Sequence, residues 1–337
     1  MTFSASRNAR RMALSVCTVT ALLAAVPAAG ARPVAAELRV QGEQKTLASG
    51  ETYLTDTTTI LTDTSEPACG GSGDAATVEG ATALGLLIDA AGVERTLRPL
   101  GVSDKFDFGL LVCSIGGVQA SDDGFWLYKV NHVAPDVGAD QRKISPGDEV
   151  LWYFSNTATG RNTGDELALD APPRAKPFTS FDVRVVAYDA AGKPEPAAGA
   201  DVVYGQQRVR TDSNGVARVT SGSESVSLRA VRGKDVASAR ERVCVSKRPS
   251  ACVPAPTALN GTAGGDRIVG GQRAERVFGH GGRDRIDVRG GGSDVVRCGS
   301  GVDRALIDRG DRAGRDCEFV NDRRRGRAPA PKRAASR

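Results

Sequence analysis

Histidine is almost missing from this chain of 337 residues, and so is any tight cysteine pair. His132 and His280 are the only histidines, and no two cysteines fall at C-x-x-C spacing, so a zinc centre built from clustered His and Cys has no raw material. Catalytic signatures are missing as well. There is no G-x-S-x-G, no H-E-x-x-H and no P-loop, and no cysteine is credibly paired with a histidine; the hydrolase classes that rest on those motifs are excluded. Aspartates are abundant, and a glycosidase needs only two carboxylates. Here they sit mostly in Gly-rich turns and loops, where metal ligation or turn capping accounts for them. Enzyme activity is therefore not expected.

Long apolar runs are confined to the start of the chain. Arg7, Arg10 and Arg11, the apolar stretch Met12 to Val26 and the small residues Ala29-Gly30-Ala31 have the order of a secretory signal peptide over 1–31. Beyond it nothing approaches the roughly 20 residues that span a bilayer, so a secreted, extracellular or cell-surface protein without a membrane helix is expected. Setting aside Cys17 inside the signal leaves six cysteines in an oxidising setting, which favours structural disulfides. Six cysteines allow fifteen pairings. The local one, Cys69 with Cys113, Cys244 with Cys252 and Cys298 with Cys317, is the simplest, because each couple lies within or at the edge of one module. Part of the net charge of +5 sits in the Ala- and Pro-rich segment 321–337, a basic tail expected to be disordered. It has no interleaved aromatics for base stacking, so no specific nucleic-acid partner is expected; a cell-envelope polymer or a surface protein stays open as its partner.

What is abundant is glycine and proline, 40 and 16 residues, which suits several small β-rich modules better than one large core. From 32 to 169 the reading is an α+β module. Glu37 to Val40 and Glu51 to Leu54 alternate as a first hairpin around Gly42. Ala81 to Ala91 has helical spacing, with Ala83, Leu84, Leu87 and Ile88 on one face and Gly92 as the stop. Strands follow at Leu110 to Ile115, Phe125 to Val130 and Glu149 to Phe154, the order of a β-grasp. The segments ATALGLLIDAA, LLVCSIGGV, GFWLYKVNHV and SPGDEVLWYFSN resemble the transcobalamin C-terminal-like domain of bacterial surface proteins, with Trp126, Tyr128, Asn131, Gly147, Asp148 and Trp152 on its W-x-Y-x-N and G-D-x-v-x-w pattern. The resemblance implies a small-ligand surface at Trp126, Tyr128, Asn131 and Trp152 for a cobalamin-like, corrinoid molecule, without the helical barrel that completes the clamp in vertebrate carriers. Packing competes with that role for both tryptophans, and His132, where many members carry Gly, reads as a solvated turn residue rather than a cobalt ligand.

DAPPRAKPF, residues 170–178, reads as a Pro-rich linker. The next segment, 179–246, alternates in short runs separated by turn signals, the clearest being Asp212-Ser213-Asn214-Gly215. Its VRTDSNGVARV resembles bacterial Ig-like or carboxypeptidase-regulatory-like β-sandwich repeats, which implies spacing or adhesion. A second linker, 247–258, leads into the last module.

Residues 259–320 fall into a nine-residue beat: GTAGGDRIV, GGQRAERVF, GHGGRDRID, then after Val288 RGGGSDVVR and CGSGVDRAL. The sixth position is acidic throughout (Asp266, Glu275, Asp284, Asp294, Asp303) and the eighth apolar (Ile268, Val277, Ile286, Val296, Ala305). Glycine allows the tight stacked turns, and stacked turns bring carbonyls and carboxylates into one gap suited to Ca²⁺. The segment resembles the RTX, haemolysin-type, calcium-binding repeats of parallel β-rolls. On that reading the side-chain ligands are Asp266, Asp284, Asp294 and Asp303, with Asp266 and Asp284, two units apart on one edge, forming the best site. Asp284 with Asp303 is second because Val288 shifts its register, and Arg273 and Glu275 spoil the other edge. Against calcium stands a metal-free roll whose acids pair with Arg267, Arg276, Arg283, Arg285 and Arg304.

The expected fold class is thus multi-domain and mostly β: an α+β β-grasp domain, an Ig-like β-sandwich and a short parallel β-roll. The expected function is an exported, non-enzymatic protein that binds calcium through its repeats and carries a β-grasp interaction module. Corrinoid-like binding by that module, or a purely structural envelope protein with no metal, are the alternatives.

Overall fold

The computed structural model describes residues 33–222, 224–252, 256–321 and 323–324. The expected signal peptide and nearly all of the expected basic tail lie outside the described residues. Strands account for 47% and helix for 6% of the structure, so the protein is mostly β with several sheets. Among the described residues no helix is long and apolar enough to cross a membrane.

In the first region the hairpin of Val34–Gln41 and Thr46–Thr55 is antiparallel, and Val34–Gln41 pairs in parallel with Glu149–Asn156, which pairs antiparallel with Gly124–Val130. Alternation sends Ala36, Leu38 and Val40 into the core under the helix, while Arg39 and Gln41 face the other side of the sheet. The helix, Ala83–Val93, starts at Thr82, whose Oγ1 accepts the Gly85 N–H at 2.9 Å. Gly92 lies inside its last turn and does not stop it; the helix ends where Glu94 turns extended and donates its N–H to the Ala90 carbonyl. Leu84, Leu86, Leu87 and Ile88 are all buried, so the helix is covered on more than the one face its spacing marks. A disulfide joins Cys69 to Cys113.

The second region consists of two sheets sharing one core that includes Leu167, Val185, Val202, Val219, Leu228 and Val243. It begins earlier than the sequence indicates. Glu166–Asp170 pairs with Ser180–Tyr188, and Arg174–Ala175 pairs with Glu241–Val245, so residues 170–178 are woven into the sheets rather than free as a linker. The physical reason is Leu167 and Leu169, whose alternation places both in the second core despite the prolines that follow. A disulfide fastens Cys244, in a strand of this region, to Cys252.

The two regions meet on the outer face of the first sheet, around buried Glu166. Its carboxylate pairs with the Arg39 guanidinium, and its Oε1 lies 3.1 Å from His132 Nδ1. Lys129 Nζ, 3.7 Å from Glu166, donates to the carbonyls of Tyr188 and Asp189. His132 stacks on the Tyr188 ring with centroids 3.9 Å apart. It is therefore an interface residue and not a solvated turn residue, held at φ 70°.

The repeat region winds through two parallel ladders. One contains Thr257–Asn260, Glu275–Phe278, Val295–Arg297 and Arg312–Ala313; the other contains Arg267–Val269, Arg285–Asp287, Arg304–Leu306 and Phe319–Val320. Each short strand contributes about one inward side chain, among them Leu259, Ile268, Val277, Ile286, Val296 and Ala305. Val288 does not shift the ladder: Arg285 still faces Arg304, and the inserted residue is buried in the core with its N–H on the Leu306 carbonyl at 3.0 Å.

The first ladder does not end at the repeats. Leu259 and Asn260 pair in parallel with Thr52 and Tyr53, so one eight-stranded sheet runs from the repeats into the first region. Leu54 joins the repeat core.

Candidate metal centre

Each repeat acid follows a glycine-rich turn and stands immediately before a strand or, for Glu275, at its first position, so that acid, exposed residue and core residue succeed one another. In Asp266-Arg267-Ile268 the outer two are buried and the arginine is exposed, as period-two alternation requires. Asp266, Asp284, Asp294 and Asp303 are 7, 2, 1 and 0% exposed.

The carboxylates cap one another's backbones. Asp284 Oδ1 accepts the Asp266 N–H at 2.9 Å, Asp303 Oδ1 accepts that of Asp284 at 2.9 Å, and Asp294 Oδ1 accepts that of Glu275 at 2.8 Å. The chain of caps continues past the repeats through Glu318, which accepts from Asp303 at 2.9 Å, and Asp311, which accepts from Asp294 at 3.0 Å. The nine-residue beat does not reach these two acids, because they follow 15 and 17 residues on rather than 18 or 19. Capping by a residue one full winding ahead is the signal that points to them.

One oxygen per carboxylate remains, and it decides which acids are equipped for a cation. Oδ2 of Asp284, Asp294 and Asp303 is buried with no hydrogen-bond partner. Asp266 differs, since its Oδ2 accepts the Thr262 N–H at 2.7 Å and Thr262 Oγ1 lies 3.2 Å from both oxygens. The best-equipped pair is therefore Asp284 with Asp303, not Asp266 with Asp284. Glu275 caps its own turn at the Gly271 N–H, so on the first ladder Asp294 stands as the equipped acid.

Glycine makes this approach of oxygens feasible. A Cβ on Gly279 would lie 2.3 Å from Asp284 Oδ2 and 2.4 Å from the Cys298 carbonyl; one on Gly261 would meet Asp266 Oδ2 at 2.6 Å and the Gly279 carbonyl at 2.8 Å. Carboxylate and carbonyl oxygens thus converge where a side chain would stand. The donor set is oxygen only, which fits a hard cation.

Without a counter-charge these groups resist ionisation. Burial, reinforced by Asp303 and Asp266, pushes Asp284 up to about 7, and burial likewise raises Asp266, Asp294, Asp303 and Glu275. Four of the five flanking arginines do not relieve them. Arg267, Arg276, Arg283 and Arg285 point outward and form no ion pair with a described residue, in contrast to Arg289, which pairs with Asp287 at 2.7 Å. Cys298 and Cys317 form a disulfide inside the same core.

The aromatic residues of the first region lie elsewhere. Trp126 and Trp152 are buried in its core, Trp126 Nε1 donating to the Val118 carbonyl at 2.9 Å. Tyr128 stacks on Trp152 and its hydroxyl donates to the Val137 carbonyl. Asn131 Oδ1 accepts the Glu149 N–H and its Nδ2 donates to Asp148, so it braces a turn. The structure brings these four to one end of the sheet as packing and bracing groups, with neither tryptophan presented as a platform for a ligand.

Residues 80–156 match a family described as a domain of unknown function, DUF4430. The match spans the helix and the strands Gly124–Val130 and Glu149–Asn156 and stops short of the repeats. No curated protein and no solved structure matches the chain.

Proposed function

We propose that this is an exported, non-enzymatic binding protein that holds calcium in the buried carboxylates of its repeat region. The observation that carries the reading is the orphaned Oδ2 on each of Asp284, Asp294 and Asp303. A buried carboxylate oxygen without a partner costs several kcal/mol, and a divalent cation shared with turn carbonyls offsets that cost. Asp284 and Asp303 supply one edge and Asp294 the other, while Asp266, already occupied by Thr262, closes the series. The resemblance of the nine-residue beat to RTX repeats supports the same assignment. Because the ligands come together only in the folded chain, calcium binding adds to the stability of this region.

The remaining regions are read as display. A mixed sheet with a central parallel pair and one helix supports a β-grasp of the transcobalamin C-terminal-like kind, and two sheets around one core support an Ig-like spacer. Three disulfides favour an oxidising, extracellular or cell-surface setting.

Calorimetric titration of the chelator-stripped, disulfide-intact protein tests this. Saturable calcium binding is expected, weakened at least tenfold by Asp284→Asn with Asp303→Asn and much weaker for magnesium, which dehydrates reluctantly. A folded protein that shows no saturable heat up to millimolar calcium ends the reading.

A further inference from the structure

Where the repeat region continues the sheet of the first region, a groove of about 350 Å³ opens along the seam. Tyr53, Asn260 and Phe278 stand side by side on three adjacent strands and form its floor with Ala258. Glu94, just past the helix, Glu51 and His280 are among the other residues that line it, together with the neutral hydroxyls of Ser49 and Thr96. Neither the sequence pattern nor the proposed calcium function accounts for this combination.

Three features give the groove a chemical character. First, its charged lining residues are the two carboxylates Glu51 and Glu94, and among the described residues no lysine or arginine lines it, although Arg276 lies close by on Phe278, in a protein of net charge +5. Second, Tyr53 is 1% exposed and its hydroxyl has no hydrogen-bond partner among the described residues. Third, the floor is aromatic and apolar: Phe278 and His280 are stacked with centroids 6.0 Å apart, and His280 Nε2 is fixed 3.1 Å from Asn260 Oδ1. Burial holds His280 below its ordinary value, so the imidazole adds no positive charge at neutral pH. The guanidinium of Arg276 lies 5.8 Å from the Phe278 centroid, so this ring carries a cation of the protein's own and is left to offer a ligand apolar surface.

A hard metal ion wants six to eight oxygens in one shell; besides its two carboxylates this groove offers the neutral oxygens of Ser49, Tyr53, Thr96 and Asn260 amid an aromatic and apolar lining. An organic cation asks for less. It needs opposite charge, one or two hydrogen-bond acceptors and an aromatic surface for its carbon skeleton. We infer that the seam groove binds a small organic ammonium ion, its nitrogen held between Glu51 and Glu94 with the Tyr53 hydroxyl as acceptor, and its carbon chain lying over Ala258 and Phe278.

The site is independent of the calcium ladder, since none of its lining residues is a proposed calcium ligand, so failure of either assignment leaves the other standing. The test titrates the intact, disulfide-bonded protein in saturating calcium with putrescine and butylamine, with butane-1,4-diol as the neutral control. Saturable binding of at least one amine and none of the diol is expected. Glu51→Gln and Glu94→Gln should each weaken it at least fivefold, Tyr53→Phe about twofold, and Ala258→Lys, which places the protein's own ammonium in the groove, should abolish it. Nα-acetyl-lysine amide, run alongside, distinguishes a free amine from the side chain of a partner protein. Thermal unfolding of each variant confirms that the fold is kept, and Ala258→Lys serves if a carboxylate variant fails to fold. Absence of saturable amine binding in the wild-type protein overturns the inference, as does binding that survives unchanged in the folded variants.

Discussion

The eight-stranded sheet is built from strands of eight and ten residues at its centre and from strands of two to four residues at its repeat end. The long strands bury Leu38, Val40 and Trp152 under a helix that adds Leu84, Leu86 and Leu87, each such side chain contributing about 2 kcal/mol. Three of the short strands each bury one apolar side chain, Leu259, Val277 and Val296, and the windings they share with the second ladder enclose the carboxylates of Asp266, Asp284, Asp294 and Asp303. Hydrogen-bond laddering is common to both ends; what differs is what fills the interior. The charge buried against the long strands is paired, Arg39 and Lys129 with Glu166, whereas the repeat region encloses Asp284, Asp294 and Asp303, each with one oxygen left without a partner. Three devices compensate: pairing onto Thr46–Thr55, the Cys298–Cys317 bridge and, on our proposal, calcium.

Breaking the apolar end should have the largest effect. Leu38→Ala removes a fully buried side chain from the first core and should cost about 3 kcal/mol in urea unfolding, with calcium affinity unchanged once the protein is folded. Next comes the bridge. Replacing Cys298 and Cys317 with alanine opens a loop of sequence separation 19 and should cost about 3 kcal/mol, read as a lower midpoint for the repeat region in chelator and a smaller loss in calcium. A swap that sharpens the contrast is Asp284→Asn. In chelator it should stabilise the repeat region by about 1–2 kcal/mol, because a buried unpartnered charge is removed. In calcium the sign should reverse, since a ligand is lost. A stabilisation of equal size in both conditions would show that Asp284 holds no cation.

The smallest effect is on pH. Asp284 has an ordinary value of 3.8 and a folded-state value of about 7, so its protonated form is favoured in the folded protein. Stability is then highest below pH 4 as far as this group is concerned, and falls as pH rises through 7. In chelator the repeat region should therefore melt at a lower temperature at pH 8 than at pH 5, whereas saturating calcium should level or invert that slope.

Much of the repeat region is readable from the chain because its pattern is local: the beat marks the turns, and the eighth position marks the core at Ile268, Val277, Ile286 and Val296. The helix near Ala83 and the hairpin around Gly42 are readable for the same reason. What escapes is set by distance. Nothing near Leu259 indicates that it will pair with Thr52, and nothing near Glu166 indicates that its partners are Arg39, Lys129 and His132. The prolines at 172 and 173 suggest a linker where Leu167 and Leu169 instead start a sheet. At the site, spacing picks out the repeat aspartates but not which of their oxygens are left unpaired. That depends on Thr262, a single neighbour that occupies Asp266 and moves the best-equipped pair to Asp284 with Asp303.

Hydrogen exchange on the intact protein, with and without calcium, tests the contrast between the repeat region and the long strands of the first region most directly. The account expects calcium to raise protection of the amides of Arg285 and Arg304 and their ladder neighbours at least tenfold, while amides of Val34–Gln41 and Glu149–Asn156 stay within twofold. Equal protection of both regions regardless of calcium would contradict it.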